Sequence, residues 1–128
     1  MNFDQPNAEQ KLWRENVRQT GSIISGLSRV EIHHVLGRTA KIKGVGNIGH
    51  YFILPLDREE HSWIDWGKSG LKKLKDQYIS YHGEQHVFEI EDMTLLEFQK
   101  FLFARLCDHH NLPQIGDCYY DAIQEYHK

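Results

Sequence analysis

At 128 residues, with 40% apolar and 26% charged positions, the chain has the size and composition of one compact domain with a modest core rather than a disordered or fibrous protein. No run approaches the roughly 18 apolar residues of a membrane span, and the polar residues 1–10 lack the apolar stretch of a secretory signal, so a cytoplasmic domain without a membrane partner is expected. The net charge of −3 argues weakly against a nucleic-acid binder, but residues 1–83 hold twelve Lys/Arg against nine Asp/Glu (+3), and residues 84–128 hold three against nine (−6). A basic face beside an acidic tail is compatible with phosphate contact at one surface.

Residues 9–19 predict a short helix in which Leu12, Trp13 and Val17 share a face, broken by Thr20 and Gly21. The small residues of 22–27 suit a turn. Residues 29–36 have a strand's composition, with β-branched Val30, Ile32 and Val35, and Gly37 stops the run. His33 and His34 then project to opposite faces. Gly37, Gly44, Gly46 and Gly49 mark 37–50 as a long glycine-rich loop, followed by a second strand at 51–54. Pro55 suits the first turn of a helix or the turn before one, and Asp57 is placed to cap a short helix over 58–63 that carries His61.

Further helices are predicted over 68–81, with Leu71, Leu74, Tyr78 and Tyr81 at helical spacing, and over 93–108. Thr94 and Glu97 form the capping-box pair of the second, and Asn111-Leu112-Pro113 end it. A last helix covers 117–126. Cys107 and Cys118 are too few for a disulfide framework and not at metal-knuckle spacing, so both are expected as free thiols. The fold class expected is α+β.

Nine histidines are present, and the strand pair His33-His34 is flanked by Arg29, Arg38, Lys41 and Lys43. On adjacent strand positions one imidazole is able to bind an ion while its neighbour, a base suited to neutral pH, addresses water from another side. Strand, loop, strand and helix, with histidines at the end of the first strand and on the helix, trace the outline of a ββα-metal finger.

Two motifs, Val30-Glu31-Ile32-His33-His34-Val35-Leu36-Gly37-Arg38-Thr39 and Gly49-His50-Tyr51-Phe52-Ile53-Leu54-Pro55-Leu56, followed by His61, resemble the phage and prophage HNH nucleases of the recombination enhancement function (Ref) type. The resemblance covers roughly residues 20–86. It implies a single domain over 1–128, with a finger core at about 20–66 and a helical extension at about 67–128. It also implies a metal-dependent endonuclease that hydrolyses DNA phosphodiester bonds in phage or prophage DNA processing, with DNA and a recombination protein as partners.

By the same resemblance, His33 and His61 are metal ligands, His34 is the general base, and His50 occupies the central position that holds the loop or helps bind the ion. One divalent cation (Mg, Mn, Ni or Zn) stabilises the charge developing on the phosphate. Arg38, Lys41 and Lys43 are the candidate phosphate clamps, with Arg38 counted among the catalytic group.

The chain departs from that family in one respect. Members carry a structural zinc knuckle, a Cys-x-x-Cys before the first strand and a Cys and a His after Leu-Pro-Leu. Here Ser22 and Ser25 stand at the first place, and Asp57 and Glu60 at the second. Serine hydroxyls are very poor zinc ligands, so no structural zinc is expected. Ser22 or Ser25 is expected to hydrogen-bond Asp57 or Glu60 instead.

The alternatives are an HNH scaffold without activity that binds nucleic acid or protein, and a structural zinc held by His33, His50 and His61. His82 and His86 read as surface or partly buried histidines, and His109-His110 as capping groups at a helix C-terminus. Trp63 and Trp66 read as core packing on one helical face. Glu89, Glu91 and Asp92 read as a solvated loop and helix start.

Overall fold

The β-branched alternation around His33 condenses into a four-residue strand, β1 (Glu31–His34), in the computed structural model, which describes residues 5–109 and 115–127. It pairs antiparallel with β4 (Ile53–Leu56) in the register Glu31–Leu56, Ile32–Pro55, His33–Leu54 and His34–Ile53. β1 occupies the middle of the predicted 29–36, β4 is shifted two residues past the predicted 51–54, and Pro55 lies inside β4 rather than at a helix start. The proline is tolerated for a geometric reason. In an antiparallel strand the N and C=O of one residue point to the same side. The Pro55 carbonyl accepts from Ile23 N–H at 3.0 Å, so its ring nitrogen also faces away from β1 and no ladder bond is lost.

The stretch predicted as a glycine-rich loop contains a second small ribbon, β2 (Lys41–Ile42) paired with β3 (Gly46–Asn47). Its base is closed where Ala40 O accepts from Ile48 N and Gly49 N. Only glycine fits at 49, since a Cβ there would stand 2.2 Å from the Gly37 carbonyl oxygen.

Helix α1 (Ala8–Gln19) begins in a capping box between Asn7 and Gln10 and buries Trp13 and Val17, while Leu12 is exposed. Helix α2 (Arg58–Trp63) follows β4 directly, capped by Asp57 as expected. One 3₁₀ turn (Ile64–Trp66) links it to α3 (Gly67–His82), which buries Gly70, Leu74 and Tyr78 but exposes Tyr81. The turn splits the two tryptophans: Trp63 is buried, whereas Trp66 is 52% exposed and packs no core.

A 3₁₀ turn (Glu84–His86) and the single-turn helix α4 (Val87–Ile90) occupy a stretch for which the sequence suggested only a loop and a helix start. Helix α5 (Leu95–His109) starts from the expected Thr94–Glu97 capping box, with Thr94 Oγ1 accepting from Glu97 N–H and Glu97 Oε1 from Thr94 N–H. Helix α6 (Asp117–Glu125) ends one residue before the predicted boundary, and Lys100 on α5 donates to the Gln124 and Tyr126 carbonyls at its C-terminal end. The expected end of α5 at Asn111-Leu112-Pro113, and His110 of the histidine pair, lie outside the described residues.

The architecture is mixed α+β: two small two-stranded sheets among helices, with α1 and α5 packed on β4. All of Ile53, Leu54 and Leu56 are 0% exposed, enclosed with Phe52, Phe98, Phe103 and Leu106. Each such side chain contributes about 1.5–3 kcal/mol by burial. Ile23 and Ile24 in the 20–27 turn also enter this core. His82 is partly buried, its ring stacked on Tyr78 at 4.2 Å and its Nε2 donating to Ile24 O at 2.9 Å. The cysteines are free thiols, and burial pushes the Cys107 thiol up to about 12. Among the described residues no helix is long and apolar enough to cross a membrane.

Candidate active site

Period-two alternation along β1 sends Glu31 and His33 to one face and His34 to the other. On the first face, the ring centres of His33 and His61 lie 5.0 Å apart, the second imidazole delivered by α2. Glu31 Oε1 accepts from His61 Nδ1 at 2.8 Å, which fixes the tautomer and leaves Nε2 with its lone pair. A carboxylate behind an imidazole in this way orients metal-binding histidines. Two imidazoles bound to one ion at about 2.1 Å and about 100° to each other have ring centres about 5 Å apart. The observed spacing fits a shared cation.

His33 meets a second constraint from far along the chain. Its Nε2 is 2.9 Å from Gln99 Oε1 of α5, a side chain only 5% exposed. Burial lowers the His33 pKa and outweighs the opposing hydrogen bond that the ring donates to Gln99; the nearby His61 also lowers it. Asp65, four residues after His61, lines the same cleft of about 1050 Å³ as His33 and Gln99, and its charge acts on His33 in the raising direction. Among the described residues, no three His, Cys, Asp or Glu side chains converge closely enough to form a complete ligand set.

On the opposite face, His34 and His50 stand edge to face with centres 5.5 Å apart. His50 is 3% exposed, and its backbone N–H donates to Asn47 Oδ1 at 3.2 Å. Asn47 in turn donates through Nδ2 to Arg38 O at 3.0 Å, so one amide ties the two ends of the glycine-rich loop together. The His34 pKa falls to about 4, first through burial and then through Arg38, His50, His33 and Arg14. The ring is therefore neutral at physiological pH and keeps a lone pair for accepting a proton.

The predicted site histidines thus fall into two pairs, His33 with His61 and His34 with His50, on either side of one strand. Arg38 is exposed and close enough to act electrostatically on His34. Lys41 on β2 and Lys43 in the β2–β3 turn are exposed.

Sequence reasoning missed Glu31, Asp65, Asn47, Arg14 and Gln99. Glu31 had a signal, since it stands two residues before His33 on one strand face, and Asp65 had another in its spacing of four from His61. Gln99 and Arg14 had none, because their approach depends on how α5 and α1 pack.

Behind the site, Ser22, Asp57, Glu60 and Gln77 form a polar network around one buried carboxylate. Glu60 is 0% exposed, and its carboxylate accepts from the Ser22 hydroxyl at 2.5 Å, from Asp57 N–H at 3.0 Å and from Gln77 Nε2 at 2.9 Å. Ser22 Oγ also accepts from Ile24 and Ser25 N–H. The expected serine–acid bond is thus Ser22 to Glu60. It joins the 20–27 turn to α2 and α3, and so holds the helix that presents His61.

Comparison with protein-family models, with curated proteins and with solved structures finds no match to this chain.

Proposed function

We propose that the protein is a metal-dependent endonuclease of the HNH type, its β1–β4 ribbon and α2 forming a ββα-metal finger, and that it hydrolyses phosphodiester bonds in DNA. The observation that carries this reading is the pairing of His33 with His61 at 5.0 Å across a strand-to-helix junction, with neutral His34 on the next strand position. His33 and His61 would hold one divalent cation, Mg, Mn, Ni or Zn. When bound, the cation supplies charge stabilisation to the phosphate and its leaving oxygen.

The chain's own residues do the rest. Glu31 orients His61, Gln99 orients His33, and His34 takes the proton from the attacking water. His50 and Asn47 hold the loop that frames His34. Arg38, with Lys41 and Lys43 on the neighbouring hairpin, contacts backbone phosphates without reading sequence. A phage or prophage role in recombination, in a bacterial cytoplasm and beside a recombination protein, follows from the sequence resemblance alone.

A second reading, a scaffold without activity that binds nucleic acid or protein, draws on the incomplete ligand set and on the occupation of His33 Nε2 by Gln99. Supercoiled plasmid incubated with the protein and each of the four cations separates the two. The nuclease reading expects cleavage with at least one ion, abolished by EDTA and reduced at least 100-fold in His34→Ala at unchanged circular dichroism. Cleavage by the His34→Ala variant at the wild-type rate, or none by the wild type with any ion, would count against it.

A further inference from the structure

The 3₁₀ turn after α2 puts two consecutive residues to different uses. Asp65 lines the cleft that holds His33, and Trp66 turns outward, 52% exposed. The other two tryptophans, Trp13 and Trp63, are buried, so Trp66 carries the one indole open to solvent. Its backbone is fixed from α3. Ser69 Oγ donates to Trp66 O at 3.1 Å, and Gly70 packs so closely that a Cβ there would stand 2.7 Å from Trp66 Cβ.

A cation completes this surface. Lys73, one turn further along the same stripe of α3, places Nζ 5.7 Å from the centre of the Trp63 ring and 5.9 Å from that of Trp66, within cation–π range. Among the described residues Lys73 has no carboxylate within ion-pair distance, whereas its neighbour Lys72 is paired with Asp76 at 2.8 Å. Lys68, also exposed and without an ion pair, adds a second positive charge at the start of α3. An open indole beside unpaired ammonium groups matches the two chemical features of a nucleic-acid strand, a flat base and a charged backbone.

We infer that Trp66 and Lys73 form a stacking platform for an unpaired nucleobase, next to the histidine cleft, so that the DNA strand brought to the site is single-stranded there. A base inside a duplex already has its faces covered by its neighbours and has none to give to an indole. Trp66 takes the base, and Lys73 takes the adjoining phosphate. This deepens the nuclease reading and rests on it for the identity of the bound polymer, but stacking itself requires no cation and no cleavage.

The test is binding in EDTA, read by tryptophan fluorescence and by the anisotropy of a labelled strand. One arm uses a short single strand of thymidines, one an abasic strand of the same length, and one a duplex. The thymidine strand should quench the fluorescence saturably and bind more tightly than the other two. Trp66→Ala should lower its affinity about 5–100-fold, towards that of the abasic strand. Trp66→Phe, the milder change that guards against misfolding, should abolish the quench and keep the affinity within a few-fold. Lys73→Gln should make the plot of log affinity against log salt shallower by about 0.7, the loss of one phosphate contact. Equal affinity for thymidine and abasic strands, tighter binding of the duplex, wild-type affinity in Trp66→Ala, or no binding of any strand overturns the platform. If it fails while plasmid is still cleaved, the nuclease reading stands without it; quenching without cleavage by any ion upholds the platform and counts against the nuclease.

Discussion

Removing the Glu60 carboxylate probes the buried polar network that joins the 20–27 turn to α2 and α3. In Glu60→Ala the buried Ser22 hydroxyl and the part-buried Asp57 N–H lose their acceptor, and Gln77, which is part-exposed, recovers some hydration. At about 1–3 kcal/mol for each buried donor left unpaired, and with half of the α2 capping box gone, the loss is about 3–5 kcal/mol. For a chain of this length that lowers the unfolding midpoint by about 10–20 °C. Glu60→Gln keeps one oxygen for Ser22 and Asp57 and is expected to cost about 1 kcal/mol. Urea unfolding followed by the fluorescence of buried Trp13 and Trp63 measures both. An alanine variant within 1 kcal/mol of wild type, or a glutamine variant as unstable as the alanine one, would refute the reasoning.

Two further outcomes follow from the histidine pairs. In EDTA, stability should fall as pH drops from about 6.5 to about 4, because the unfolded chain takes up protons that folded His34, with its pKa near 4, and His33 refuse. For His34 alone the full linkage is about 3 kcal/mol, reduced to about 1–2 kcal/mol because the ring is only part-buried. His34→Ala should flatten that slope in urea titrations at stepped pH, and an unchanged slope would contradict the assignment. Gln99→Leu should lower the His33 pKa further, read by imidazole proton NMR, since the Gln99 bond is what raises it. The same variant should weaken divalent-ion binding about 10–100-fold by calorimetry, as loss of a ligand's orienting partner does.

The parts legible in the sequence were those set by local rules. Asp57 capping α2, Thr94 and Glu97 opening α5, and the opposite faces of His33 and His34 each follow from spacing alone. Pro55 misled because its backbone signal favours a turn, while the covering 20–27 turn makes an edge-strand position free of cost. Trp66 misled because a 3₁₀ turn after α2 rotates it out of the face that Trp63 buries. The Ser22–Glu60 bond was anticipated only as one of several serine–acid pairings, since chemistry restricted the partners but not the approach. Gln99 was beyond reach: sixty-six residues separate it from His33, and only the docking of α5 brings them together.

The most direct test of a cation site between β1 and α2 is a Mn²⁺ titration of the full chain, read on the imidazole proton resonances. The His33 and His61 signals should broaden first, saturating at one ion per chain, with His82 and His86 unaffected and the effect lost in His61→Ala. Broadening centred on another histidine, or none that saturates, would contradict it.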